Sequence, residues 1–228
     1  MAKGLKQLLL GVVIGLVLIA GGILLLSWTL GNPQIVVQGR PIEFWMDQSK
    51  SQNPAASNEL DAVLAAQIIP RFTEEMFHDT NDSSFRLALV KNLNSLPGVF
   101  INYTPAEGRR ARAASILGQF GPRAKAAIPA LLEAAKGHDD AVRSAAVTTL
   151  GQIHGDPDHV IPLLITLLDD KELNDESAEA LGNYGGLAKA AIPKLIPLLQ
   201  VNDNDLHGAV VEALRKIDPD AALKAGVK

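Results

Sequence analysis

The sequence predicts an all-α chain, an α-solenoid of stacked antiparallel helix pairs preceded by one N-terminal transmembrane helix. Three observations carry this. The hexapeptide Ala-Lys-Ala-Ala-Ile-Pro occurs at 124–129 and again at 188–193, 64 residues apart, with a weaker copy, His159-Val160-Ile161-Pro162, between them. A Leu-Gly pair keeps the same beat at 117/118, 150/151 and 181/182, and Leu214 follows with Arg215 in place of glycine. Self-similarity at about 30–45 residues marks an array in which each unit is one supersecondary element. The third observation is a run free of charge from Leu8 to Leu30. As a helix it would span about 34 Å, enough for a ~30 Å hydrocarbon core.

Residues 1–7 read as a cytoplasmic tail, because Lys3 and Lys6 precede the apolar run and basic residues stay inside. Residues 8–30 read as an uncleaved signal-anchor with Trp28 at the far interface. A cleaved signal peptide would have an apolar region of about 7–15 residues and a small-x-small site. This run is longer, and no Ala-x-Ala follows it. The expected localisation is a single-pass membrane protein, N-terminus cytoplasmic and solenoid on the periplasmic or extracellular side, with the lipid bilayer as one partner. Gly4, Gly11, Gly15 and Gly22 form a small-residue stripe. It reads either as a helix–helix face or as the ordinary glycine content of membrane helices.

Residues 31–57 form a linker. Gly31-Asn32-Pro33 breaks the helix, 34–38 is extended, and Pro41 opens a short helix carrying Phe44 and Trp45. These two aromatics read as a hydrophobic plug on the first helix of the array, with a ligand-stacking role as the alternative. The solenoid occupies 58–228, degenerate over 58–103 and regular over 104–228. In the degenerate part Leu60, Val63, Leu64 and Ile68 share one face, and a second helix over 85–96 turns Leu89, Val90 and Leu93 inward.

Thr104-Pro105-Ala106-Glu107 has the form of a capping box and opens the regular part. First helices are expected near 105–118, 140–152, 175–183 and 205–216, with Asp140, Asp175 and Asp205 as N-caps. Second helices are expected near 129–136, 160–168 and 192–200, each with Ile-Pro at the start of its main helix, since proline breaks a helix interior. Asp218-Pro219 opens a last short helix. The expected core includes Ile116, Leu117, Ile128, Leu131, Leu132, Leu150, Ile161, Leu164, Ile165, Leu181, Ile192, Leu195, Ile196 and Leu214.

The composition agrees. The chain is 47% hydrophobic but 4% aromatic, which suits close helix packing better than a sandwich. With no cysteine, disulfide scaffolds, thiol catalysis and Cys-ligated zinc are excluded. The net charge of −4, with no Lys/Arg cluster, argues against nucleic acid.

Two segments, Ala127-Ile128-Pro129-Ala130-Leu131-Leu132 and Ala141-Val142-Arg143-Ser144-Ala145-Ala146 through Leu150-Gly151, resemble HEAT repeats. More narrowly, they resemble the short bacterial HEAT-like repeats first described in phycobilin lyases. The acid–Arg spacing of that family stands here as Glu107/Arg110 and Asp140/Arg143 and is lost in the third repeat, at Lys171 and Asn174. Gln38-Gly39-Arg40-Pro41 through Trp45 is similar to a segment found ahead of such repeats in membrane-anchored bacterial proteins. The resemblance implies the fold; its members serve as scaffolds, adaptors and lyase subunits alike.

No Ser/His/Asp order, glycine-rich phosphate loop or HExxH is present, so the chain reads as a non-enzyme without cofactor. His154, Asp156, Asp158 and His159 have metal-ligand chemistry. Helix punctuation explains them more simply, with Gly155 ending one helix and Asp156 or Asp158 capping the next. The acidic turns Asp139-Asp140, Asp169-Asp170 and Asp203–Asp205 read as caps and solvated surface. The expected partner-binding row lies on the second helices between their core positions, at Ala130 and Glu133, Leu163 and Thr166, Lys194 and Pro197. The function expected is a membrane-anchored scaffold or adaptor holding a protein partner. The alternative is an accessory, lyase-like subunit that binds a chromophore or modifies a partner protein.

Overall fold

The computed structural model describes residues 34–51, 53–80, 82, 84–95, 101 and 103–227. Among these no helix is long and apolar enough to cross a membrane. That finding overturns the single-pass localisation and leaves the bilayer partner without support. The run over 8–30 on which both rested, with its glycine stripe, lies outside the described residues.

The chain divides into two compact units, Met1–Gln34 with Asn81–Ala106, and Ile35–Thr80 with Glu107–Lys228. The larger begins with a two-residue hairpin, β1 (Val36–Val37) against β2 (Arg40–Pro41), antiparallel with Val36 opposite Pro41. Its turn residues Gln38 and Gly39 both have positive φ, 51° and 73°, as a tight twisted hairpin requires. Helix α1 (Ile42–Ser49) follows and packs on α2 (Pro54–Val63). Trp45 is buried, and its indole N–H donates to the Val37 carbonyl at 3.1 Å. Phe44 is half-buried under the Arg40 guanidinium, 4.4 Å from its ring centre. The aromatic pair is thus a plug, with Trp45 as its buried half.

Asn53 caps α2 by accepting the Ala55 N–H at 3.0 Å. The helix then widens into a π turn, Leu64–Ile68, and continues as α3 (Ile69–His78). Pro70 explains the wide turn. It cannot donate to the carbonyl four residues back and its ring crowds that carbonyl, so one extra residue is accommodated. Leu60, Leu64, Ile68, Phe72 and Met76 then form one buried row at i, i+4 spacing. Arg123 reaches Asp61 at 2.6 Å and Ser57 at 2.7 Å, tying α2 to the repeats.

In the smaller unit, α4 (Ser84–Asn94) buries Val90, with Leu89 and Leu93 half-buried. The Asn94 amide exchanges two hydrogen bonds with the Ile101 backbone, at 2.7 and 3.1 Å. Asp82 accepts from the Tyr103 hydroxyl and, at 2.5 Å, from the Ala106 N–H where the next helix begins.

The repeats run α5 (Ala106–Gln119), a 3-10 turn Gly121–Ala127, α6 (Ile128–Ala134), α7 (Asp140–Ile153), α8 (Pro157–Leu167), α9 (Asn174–Tyr184), a 3-10 turn Gly185–Ala191, α10 (Ile192–Leu198), α11 (Asn204–Ile217) and α12 (Pro219–Lys224). Helix α9 packs on α7, α8 and α11, and α11 packs on α10 and α12. The stack is continuous, and Leu117, Leu150, Leu181 and Leu214 are each 0% exposed within it.

The glycine beside each of the first three leucines is where neighbouring first helices touch. A Cβ at Gly151 would lie 2.8 Å from the Ala180 Cα, and one at Gly182 would lie 2.9 Å from the Ala213 Cα. Gly151 and Gly182 thus face the residue just before the next repeat's leucine, while Gly118 lies against the Gln152 and Thr149 side chains. In the last repeat Arg215 takes the glycine's place and is exposed. A second device joins the repeats at their helix starts. Arg110 on α5 pairs with Asp139 at 2.6 Å, and Arg143 on α7 pairs with Asp170. The position equivalent to these arginines on α9 is Asn174.

Three local expectations are corrected. The caps are Asp139, which accepts the Val142 N–H at 3.2 Å, and Asp203, which accepts from Asp205 and Leu206; α9 has no side-chain cap. Asp140, Asp175 and Asp205 sit inside the first turn instead, because a cap must precede the helix in non-helical backbone. Ile-Pro opens α6 and α10 as expected, but α8 already starts at Pro157 and carries Pro162 inside. Ile196 is 38% exposed rather than core, and Leu132, Ile165 and Ile192 are half-buried rather than fully buried. Ile196 lies about 40° around the helix from Ile192, at the edge of the buried seam.

Candidate protein-binding face

The second helices α6, α8 and α10 present equivalent positions at steps of 33 and 31 residues. Glu133, Thr166 and Pro197 are exposed at one such position. Ala130, Leu163 and Lys194 at the other are half-buried, and Ala130 and Leu163 pack on the core. The expected row therefore splits. In helix geometry the position two after Ile128 sits about 200° away, beside the buried Ala134, whereas the position five after points outward. Leu167 is buried, so the apolar roundness of α8 serves the core on that side.

The row also has members that the core spacing did not bring out. Pro129, Pro162 and Pro193 are exposed in register with one another. Their sequence signal was the Ile-Pro beat itself. At the starts of α6 and α10 such a ring replaces an N–H that has no intrahelical partner, whereas Pro162 lies inside α8 and removes an interior donor. Inside α8, the Thr166 hydroxyl donates to the Pro162 carbonyl at 3.0 Å. Charges on this face neutralise one another. Glu133 pairs with Lys136 at 3.3 Å, and Lys194 pairs with Asp169 at 2.6 Å across two repeats. The result is a face of exposed prolines and paired charges.

His154, Asp156, Asp158 and His159 are placed by the α7–α8 turn. His154 has φ 53° at the position where Gly121 and Gly185 have φ 54° and 55°, so the left-handed stop is His154 and not Gly155. Its ring stands edge-on to Tyr184 at 4.8 Å. His159 faces Asp156 at 2.8 Å, and this carboxylate raises the imidazole pKa. Among the described residues no group of three or more His, Asp or Glu is placed to hold a metal ion.

Tyr184 locks the same turn. Its buried hydroxyl donates to the Gly155 carbonyl at 2.6 Å, and burial pushes its pKa up to about 12. Tyr184→Phe leaves that buried carbonyl without its donor and is expected to cost about 1–3 kcal/mol in denaturant unfolding. A spectrophotometric titration of the wild type should show a tyrosine that ionises well above the ordinary range.

Residues 104–182 match the family described as HEAT repeats. No curated protein matches the chain. Among solved structures, the chain is similar to one in the complex of CpcE and CpcF of phycocyanin lyase from Nostoc sp. PCC7120, with a TM-score of 0.51 and 20% identity, covering 83% of this chain and 68% of that one. At that identity the likeness concerns the fold. Helix pairs and repeat beat agree with the match of residues 104–182 to HEAT repeats, in a stack of helices that fits an α-solenoid.

Proposed function

We propose that this chain is a protein-binding accessory subunit of a lyase-type assembly, gripping a partner along the exposed face of its second helices. The observation that carries the reading is the in-register row Glu133, Thr166 and Pro197 beside Pro129, Pro162 and Pro193. A row repeated once per helix pair matches an extended partner better than a small molecule. The similar fold, in a complex of two proteins of phycocyanin lyase, supports an accessory role over a free-standing scaffold. Catalysis is not assigned to this chain.

The test uses the tagged full chain, purified from its native host, with co-purifying proteins identified by mass spectrometry. A variant with Glu133→Lys, Thr166→Lys and Pro197→Lys is purified in parallel. The expected result is a lyase-type enzyme or its substrate protein with the wild type, and about tenfold less with the variant at unchanged helicity and Tm. Equal capture by both places the partner on another face. Capture only of proteins unrelated to any lyase returns the chain to the scaffold reading.

A further inference from the structure

The row of exposed prolines has a further step outside the regular repeats. Ile69-Pro70 opens α3 as Ile128-Pro129 opens α6, and α3 packs against α6. The two registers agree inside and out. Ile69, Phe72 and Met76 are buried, as are Ile128, Leu131 and Ala135 at the matching positions. Pro70 and Glu74 are exposed where α6 exposes Pro129 and Glu133.

One turn later α3 departs from the other second helices. Seven residues after the proline, those helices expose Lys136, Asp169 and Gln200. Helix α3 exposes Phe77 there, at 42%, the one aromatic among the large exposed apolar side chains of the described residues. A single exposed apolar residue on open surface means little. Phe77 instead borders a cavity of about 210 Å³ between α3, α6 and the start of α7. Met76, Phe77, Ala134 and Val142 make its walls apolar, and Arg110 and Asp139 in its lining are paired at 2.6 Å. Such a cavity suits an apolar group, because its charges already satisfy each other. The nearby carboxylates differ. Glu133 is neutralised by Lys136 at 3.3 Å, whereas Glu74, one turn before Phe77, is in no ion pair among the described residues.

We propose, resting on the second-helix face as the partner surface, that Phe77 and this cavity are its anchor. They seat a large apolar side chain of an extended partner segment, and a Lys or Arg two residues away in that segment meets Glu74. The spacing follows from geometry. Three residues along α3 rise about 4.5 Å. Side chains two apart in an extended segment share a face and stand about 6.6 Å apart, a mismatch that a flexible lysine absorbs. A seated apolar group ringed by nearly neutral contacts is how a few residues come to carry most of an interface's binding energy.

The probe is the peptide Ac-Ser-Lys-Ser-Leu-Ser-Lys-Ser-NH2, titrated into the isotope-labelled full chain and followed by amide NMR shifts. Saturable shifts are expected on α3 and over residues 134–142. Binding should weaken about fivefold or more with Phe77→Ser, and equally when serine replaces the leucine of the peptide. Glu74→Lys should reverse the preference between this peptide and one with glutamate in place of both lysines, and that reversal decides if Phe77→Ser does not fold. No saturable shift at these amides, or binding indifferent to both variants, overturns the anchor. Capture from the native host separates this outcome from failure of the row. A partner lost with the triple lysine variant but kept by Phe77→Ser overturns the anchor alone. Phe77-dependent peptide binding with capture unchanged in the triple variant supports the anchor and overturns the row.

Discussion

Leu150→Ala is expected to lower the unfolding free energy by about 2–5 kcal/mol, read from denaturant curves at unchanged slope. Leu150 is wholly buried on α7, one step in the leucine beat that runs through the stack. Removing its side chain opens a cavity whose walls belong to neighbouring helices, which cannot all close in on it. The comparison is Asp170→Ala. Asp170 is on a turn, yet it is the acceptor for Arg143, which holds its pKa below the ordinary aspartate range. The pair is partly solvated, so its loss should cost about 1 kcal/mol. Similar small effects from both would mean that Leu150 is not central to the core.

Gly151→Leu should be comparably severe by the opposite mechanism. A Cβ at this position meets the Ala180 Cα and Cβ, both at 2.8 Å, so α7 and α9 must move apart before any further atom is added. Overpacking of this kind costs about 1–3 kcal/mol and sometimes more. Here the shift also passes to the rest of the stack. Gly208→Ala provides the contrast. Gly208 lies within α11 with open space where its Cβ would be. That change should stabilise by about 0.5–1 kcal/mol, from helix propensity alone. Thermal melts of the two variants should move in opposite directions; movement in the same direction would contradict the assigned crossing points.

The period, the helix pairing and the leucine seam were legible in the chain because each depends on local spacing. A helix buries what recurs on one side of it, and a repeat array makes that recurrence long-range. As a sequence signal the Ile-Pro beat points to helix starts; that its prolines are exposed, and that the neighbouring positions 130 and 163 turn inward, came from the structure. Other features required neighbours in space. Asp139 and Asp203 cap their helices because of backbone conformation just ahead of the first turn, which adjacent aspartates in sequence cannot distinguish. Arg110 and Arg143 resembled a spacing within one helix, yet their main partners are Asp139 and Asp170 of the following repeat.

By itself, then, the sequence determined which residues form helices and which of their sides must be buried, because periodicity and side-chain chemistry act within a few turns. Only the tertiary structure decided why glycine accompanies each leucine, and why Arg215 ends that series. It also showed that Glu176 lies where the repeats on either side pack alanine, Ala145 and Ala209. Those are properties of surfaces brought together by stacking, and a residue's type does not say what will be placed against it.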